Sequence, residues 1–238
     1  MIVGLVCARL GSEGLPGKNF AGFAGKPLID WSIEQAVTAK KLDGVYVVTD
    51  APYQYPGVET IHEPRHLAGA GIAKWQVWQW AAAQLESQGR EVTAVVDIDV
   101  TRPLRHSADI DKVIKRYLAP PPDSHVVMGI SEAKRSPYFD ILEMDQTGLH
   151  ISKPLGRFSV RQYGPKVYNH AGVYVIHRDS LYRQLSLFEP GQLVQGVLLS
   201  AENAIDIDNE LDWRIAEYLM ERRILEAANI KAAERWQV

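Results

Sequence analysis

The stretch Ile2–Phe20, "IVGLVCARLGSEGLPGKNF", joins a short apolar run to a glycine-rich loop. Ile2–Cys7 suits a buried strand. The loop that follows holds Gly11, Gly14 and Gly17, with Arg9 and Lys18 near its ends. Glycines let a backbone turn tightly and bring several N–H groups toward one anion. Flanking cations stabilise phosphoryl charge as it moves to a leaving group. The loop matches neither a Walker A sequence nor a G-x-G-x-x-G fingerprint. The competing reading is a plain strand-to-helix turn with solvated cations. Glu13, a carboxylate in the middle of an anion loop, is the residue in need of explanation.

Outward from that loop the chain keeps a strand–helix rhythm. Pro27 opens a helix in which Leu28, Trp31, Ile33, Ala36 and Val37 recur at helical spacing. Gly44–Asp50 reads as a second strand, "GVETIHE" as a short third, and Val92–Asp99 as another. A helix over "IAKWQVWQWAAAQLESQG" and one over "HSADIDKVIKRYL", capped by Ser107, flank that last strand. The rhythm predicts an α/β fold of three αβα layers around a mostly parallel sheet. Ligands in such sheets bind beyond the carboxyl ends of the strands. Polar residues gather there: Arg9 onward, Thr49–Asp50, and Asp97 with Asp99. After "SHVVMGISEA", another strand, residues 133–170 read as a small β excursion with a hairpin around "DQTG", within a single domain over 1–238. An acidic loop then leads into a last amphipathic helix.

Composition narrows the possibilities. The chain has 238 residues, 46% hydrophobic and 23% charged, with a net charge of −3. That length suits one α/β domain, and the charge gives no global field for nucleic acid. The one cysteine, Cys7, lies in the apolar run and reads as a small buried hydrophobe. No segment approaches the roughly 20 apolar residues of a membrane span. The default expectation is a cytoplasmic protein with no membrane or nucleic-acid partner.

Acidic residues form the second clue. The tripeptide Asp-Ile-Asp occurs at Asp97–Asp99 and again at Asp206–Asp208. In extended chain, alternate side chains point the same way, so each pair can present two carboxylates to one side. Carboxylates and nucleotide phosphates together make a Mg²⁺ site. Alternatively, Asp206 or Asp208 caps the last helix, and the first pair is a solvated strand end. The stretch "RFSVRQYGPKVYNHAG" could bind a carboxylated, hydroxylated ligand through Arg157, Arg161, Lys166, Tyr163, Tyr168, Asn169 and His170, or be a surface loop. His170 lacks a paired histidine and reads as a polar contact. Trp75 and Trp78, at helical spacing, read as core.

Four stretches resemble the cytidylyltransferases that activate sialic and other nonulosonic acids. "CARLGSEGLPGKNFAGFAGKPLIDWSIEQA" is similar to their N-terminal signature, "DVTRPLR" to a segment ending S-P-L-R, "RQYGPKVY…AGVYV" to a sugar-side stretch, and "IDIDNELDWRIAE" to a C-terminal motif. The resemblance implies a nucleotide-diphospho-sugar transferase-like fold and a reaction. CTP and a nine-carbon 2-keto acid sugar would give a CMP-sugar and pyrophosphate, with Mg²⁺ as cofactor. It implies Ala8, Arg9, Gly11, Ser12, Lys18 and Asn19 around the nucleotide, with Arg9, Lys18 and Asp208 as the catalytic set. Asp206 and Asp208 would hold the metal, with Asp99 as a third candidate. Asp99, Thr101, Arg161, Gln162, Tyr168 and His170 would face the sugar. A homodimer packed through the excursion is also implied.

The sequence departs from that pattern at several positions. Glu13 replaces the loop lysine, Glu63 an arginine associated with the nucleotide, Ala70 a frequent acid and Arg102 a serine. A charge reversal about 4 Å from a phosphate costs several kcal/mol at an effective dielectric near 20. Arg65 and Arg102 are candidate compensating cations. Two other readings therefore stand beside an active enzyme. One is a weakly active or inactive homologue that binds nucleotide or acidic sugar. The other is a nucleotide-sugar glycosyltransferase with a D-x-D metal motif, which "GLPGKN" and "DIDNELD" disfavour.

Overall fold

A computed structural model describes residues 1–11, 14–69, 71–119, 126–156, 160–184, 186–189 and 192–235. Ser12, Glu13, Ala70 and Arg157 lie outside the described residues. β1 (Ile2–Cys7) leads through the loop and a small hairpin, β2 (Gly22–Phe23) and β3 (Lys26–Pro27), into α1 (Leu28–Thr38). β4 (Gly44–Thr49), β5 (Glu59–His62), α2 (Lys74–Ser87), β6 (Ala94–Ile98) and α3 (Ser107–Tyr117) follow. β7 (Val126–Glu132) precedes a hairpin of β8 (Leu142–Asp145) and β9 (Gly148–Ile151). β10 (Tyr168–His177), α4 (Arg178–Arg183), β11 (Val194–Leu198) and α5 (Glu210–Arg235) complete the fold.

The main sheet has the order β11-β7-β10-β6-β1-β4-β5. β1 pairs in parallel with β4 and β6, β4 with β5, and β7 with β11. β10 runs antiparallel to β6 and β7. The reason is the excursion: the chain leaves β7 at its carboxyl end and re-enters β10 at the same end, where Tyr168 pairs with Glu132. The hairpin therefore projects from the ligand-binding side of the sheet. Its turn is held by Asp145, which accepts from the backbone N–H and hydroxyl of Thr147, and by Gly148 at φ 116°.

Strand alternation divides the core into two layers. Val3, Leu5, Val48 and Val95 pack against Trp75, Trp78, Ala82 and Leu85 of α2. Val6, Val47, Val96 and Ile98 face Ile29 and Ile33 of α1, Ile110 and Ile114 of α3, and Met220 of α5. Trp75 and Trp78 are core residues, with ring centroids 5.6 Å apart. The cap of α3 differs from expectation. Ser107 is the first helical residue, and His106 occupies the cap position. The carboxylate of Asp109 reaches back to accept the His106 N–H at 2.9 Å, and an acid at that place also suits the helix dipole.

Candidate active site

The carboxyl ends of β1 and β6 and the segment after β5 open on one cavity of about 390 Å³. The loop after β1 is cross-tied before any ligand is considered. The Asn19 amide donates to the Arg9 carbonyl at 3.0 Å, and the Leu10 N–H donates to Asp50 at 2.8 Å. The Arg9 guanidinium donates to the Gly69 carbonyl at 3.1 Å. Gly17, at φ 70°, turns the chain into a short 3₁₀ turn over Lys18–Phe20. That turn points Lys18 inward, where its side chain is 10% exposed.

Lys18 joins the first motif to the last. Its ammonium donates to the Ile207 carbonyl and lies 4.0 Å from the Asp208 carboxylate. Gly14 lets the backbones close: a Cβ there would stand 2.4 Å from the Asp208 carbonyl oxygen. Segments nearly the whole chain apart in sequence thus meet at Lys18, at the edge of the cavity that Lys18 and Gly14 line. Asp206 and Asp208 do not cap α5. Asn209 accepts from the N–H groups of Leu211 and Asp212, while Asp212 accepts from those of Asp208 and Asn209.

The two acidic pairs are answered by different cations. The Lys74 ammonium donates to Asp97 at 2.6 Å and also to Asp99. The Trp78 indole N–H reaches the other Asp97 oxygen at 2.9 Å. Burial pushes the Asp97 carboxyl up, against the pull of Lys74. Burial works the same way on Asp99, but there Lys74, Arg102 and Arg105 prevail and hold the carboxyl below its ordinary value. Burial also disfavours charge on Lys74, and the two aspartates override it, so the ammonium's pKa lies well above the usual lysine value. Cys7 borders the same cavity, yet burial and then Asp97 push its thiol up, so it is no thiolate nucleophile.

Arg102 serves the second pair. Its buried guanidinium donates to Asp206 at 2.7 Å, to the Ala204 carbonyl and to His170 Nδ1 at 3.1 Å. Arginine can only donate, so Nδ1 accepts and neutral His170 carries its proton on Nε2. The Thr101 hydroxyl donates to the other Asp206 oxygen at 2.5 Å. Gly172 makes room for this arrangement. At φ 67°, beside a register shift in β10, its missing Cβ would sit 2.2 Å from Arg102 Cδ. Burial raises the Asp206 carboxyl's pKa while Arg102 pulls it down. Asp208 is different, with a side chain 77% exposed.

These donors suit Mg²⁺ in its usual protein setting. Among the described residues no three His, Cys, Asp or Glu side chains gather closely enough to hold a metal alone. Mg²⁺ does not need such a cage, because one or two carboxylates plus substrate phosphates suffice. The open carboxylate of Asp208 meets that requirement, whereas both oxygens of Asp206 are taken by Thr101 and Arg102. Asp99 meets it less well: Lys74 takes one oxygen and Arg102 Nε lies 3.9 Å from the other.

The cavity gathers Ala8, Arg9, Lys18, Asn19, Asp99 and Thr101 from the expected residues, and Gly11, Asp206 and Asp208 are not part of its lining. Arg161 and Gln162 line a separate cavity of about 320 Å³, where Arg161 pairs with Asp140. Tyr168 borders that one and a third, of about 560 Å³, shared with His170. Glu63 lines the main cavity, and burial and then Asp50 raise its carboxyl while Arg9 opposes them. The cation that acts on Glu63 is therefore Arg9, though the two form no ion pair among the described residues; Arg65 is exposed and Arg102 is committed to Asp206. Sequence reasoning missed Lys74. The signal was a lone cation at the start of an otherwise apolar, tryptophan-rich helix, one turn before buried Trp78.

Comparison with known proteins identifies the family. The Cytidylyltransferase family model matches residues 3–61. Over 223 residues the chain is 31% identical to CMP-N,N'-diacetyllegionaminic acid synthase of Campylobacter jejuni, with 90% of this chain and 93% of that one covered. The chain belongs to the family of sialic and nonulosonic acid cytidylyltransferases. This cytidylyltransferase is also 31% identical over 230 residues to post-translational flagellin modification protein B of Campylobacter coli, covering 93% and 96% of the two chains. Among solved structures it resembles CMP:2-keto-3-deoxy-manno-octonic acid synthetase complexed with CTP, at a TM-score of 0.72 and 18% identity over 93% of this chain and 99% of that one. The glycosyltransferase reading falls away with the family assignment. No helix among the described residues is long and apolar enough to cross a membrane.

Proposed function

We propose that this protein transfers CMP from CTP to the anomeric hydroxyl of a nonulosonic, sialic-type 2-keto acid sugar and releases pyrophosphate. The observation that carries the reading is Lys18 of the anion loop, which lines the cavity with Asp99 and Thr101 and approaches Asp208 at its edge. The names of the relatives support both the nucleotide and the acceptor class.

Arg9, Lys18 and the loop backbone bind the triphosphate and leave its α-phosphorus toward Asp99 and Thr101. Asp208 would hold Mg²⁺, which supplies charge neutralisation for the leaving pyrophosphate. The anomeric oxygen forms a bond to the α-phosphorus as the bond to the bridging oxygen of pyrophosphate breaks, and the hydroxyl proton is released. Thr101 and Arg102 fix Asp206, so the acidic corner is organised before substrate arrives.

The protein works as a homodimer in this reading. The hairpin exposes Leu142, Met144 and Leu149, with Met144 80% exposed, and these residues support a contact there. Arg161 and Gln162 line a cavity separate from the nucleotide cavity of their own chain, which favours a sugar-side role for them in a second copy. A reaction that consumes CTP fits a cytoplasmic location.

The test is pyrophosphate release from CTP and Mg²⁺ with a panel of nonulosonic acids. The expected result is one pyrophosphate and one CMP-sugar per acid consumed, with none when the acid is omitted. Binding of CTP without release for any acid would instead identify an inactive homologue.

A further inference from the structure

The cavity contains a cation that neither the anion loop nor the acidic motif supplies. Lys74 is the first residue of α2 and lines the cavity together with Arg9, Lys18, Asp99 and Thr101. An ammonium has three N–H donors. Asp97 and Asp99 accept two of them. Asp97 is fully buried and locked by Trp78, so the ammonium is anchored from below. Its side chain is nevertheless 38% exposed, and the remaining donor has the cavity to face.

The location of this donor is informative. Lys18 is tied to the Ile207–Asp208 corner, where the leaving phosphates are neutralised. Lys74 is tied to Asp99, which lines the same cavity with Thr101, the two residues expected on the sugar side. In the cytidylyl-transfer reading the phosphorus that changes partners lies between the triphosphate bound at Lys18 and the sugar at Asp99 and Thr101. A fixed N–H aimed there needs no reorganisation when charge develops on the transferred phosphoryl group.

We propose that Lys74 is a catalytic residue whose third N–H binds a non-bridging oxygen of the α-phosphoryl group during transfer. The inference rests on the cytidylyl-transfer reading above. The aspartates hold the ammonium in place, and the ammonium stabilises the phosphoryl oxygen as the acceptor oxygen bonds to phosphorus and pyrophosphate departs.

Sulfur substitution tests the contact directly. The Rp and Sp diastereomers of CTP carrying sulfur on the α-phosphorus replace one non-bridging oxygen each. With wild-type protein and Mg²⁺, one diastereomer should turn over more slowly than CTP. In Lys74→Met the rate with CTP should fall about 100-fold, the scale of losing one such donor. The slow diastereomer should lose little more, so the ratio of the two rates shrinks about tenfold while CTP affinity changes less than about threefold. Lys74→Arg should restore part of the rate and keep part of the ratio. An unchanged ratio in Lys74→Met, whatever its rate, would show that Lys74 only supports Asp97 and Asp99 and would overturn the proposal. Should Lys74→Met fail to fold, Lys74→Arg and Lys74→Gln give the same comparison: a ratio equal to wild type in both overturns it. A wild-type protein that binds CTP but releases no pyrophosphate would overturn the activity reading and this inference together, a result distinct from an unchanged ratio in an active enzyme.

Discussion

The tripeptide Asp-Ile-Asp appears twice in this chain and is put to two different uses. At Asp97–Asp99 it ends a central strand, and both carboxylates are closed over by Lys74 on the α2 face of the sheet. At Asp206–Asp208 it lies in an irregular segment before α5, with Asp206 held by Arg102 and Thr101 and Asp208 left open. Identical residues at identical spacing therefore give a satisfied buried network in one place and a free hard-oxygen ligand in the other. The difference comes from the cations that the fold brings in from distant sequence.

That comparison can be broken from either side. The largest effect is expected at the open pair. Asp208→Asn should lower turnover by at least about 100-fold, the scale on which charge stabilisation at a transferring group acts, with thermal unfolding near that of wild type. A Mg²⁺ titration of the rate should shift to higher concentration; an unshifted titration would remove Asp208 from the metal site. The closed pair should behave oppositely. Asp97→Leu breaks a buried ion pair, leaving Lys74 to Asp99 alone and the Trp78 indole N–H without its acceptor, and should cost roughly 3–5 kcal/mol of stability, measured by chemical denaturation. The double change Asp97→Leu, Lys74→Met should recover part of that loss, because the ammonium's desolvation cost is removed while Arg102 and Arg105 still answer Asp99.

Gly172 tests how Arg102 is seated. Gly172→Ala puts a Cβ against the arginine stem at a left-handed backbone position, for a cost of roughly 1–3 kcal/mol. It should also loosen Asp206 and raise the Mg²⁺ requirement, an effect that strain elsewhere in β10 would not produce. The smallest effect concerns Glu63. Its folded pKa is raised, so the native state holds the extra proton just above the ordinary glutamate range. Its contribution to stability is therefore greatest below the unfolded value and falls as pH rises through that window. Glu63→Gln should remove this fall and be the more stable form at neutral pH; denaturation curves across pH check it.

The strands and helices that carry the site were legible because their patterns are local. Ile2–Cys7, the Gly44–Thr49 core strand and the tryptophan helix announce themselves by apolar runs or helical spacing. β11 and α4 did not. β11 is a short edge strand interrupted by Gly196, whose missing Cβ makes room for Ile130, and that need is invisible in sequence. In the site, the loop and the second acidic pair were legible as residue types, and their meeting at Lys18 and Asp208 was not. Lys74 escaped, and Arg102 was read as a compensating cation without its true partner Asp206, for the same reason: an ion pair between separate elements has no spacing to read. Glu63 was noticed as a charge reversal, but its answering cation proved to be Arg9, brought to it by the loop's own geometry.

The central claim is attack by the sugar's anomeric oxygen on the α-phosphorus of CTP. The most direct measurement is to label that oxygen of a turned-over nonulosonic acid with ¹⁸O, react it with CTP and Mg²⁺, and read the products by mass spectrometry and ³¹P isotope shift. The account predicts the label in the bridge between sugar and CMP phosphorus, with unlabelled pyrophosphate. Loss of the label to water, or its appearance in pyrophosphate, would contradict it.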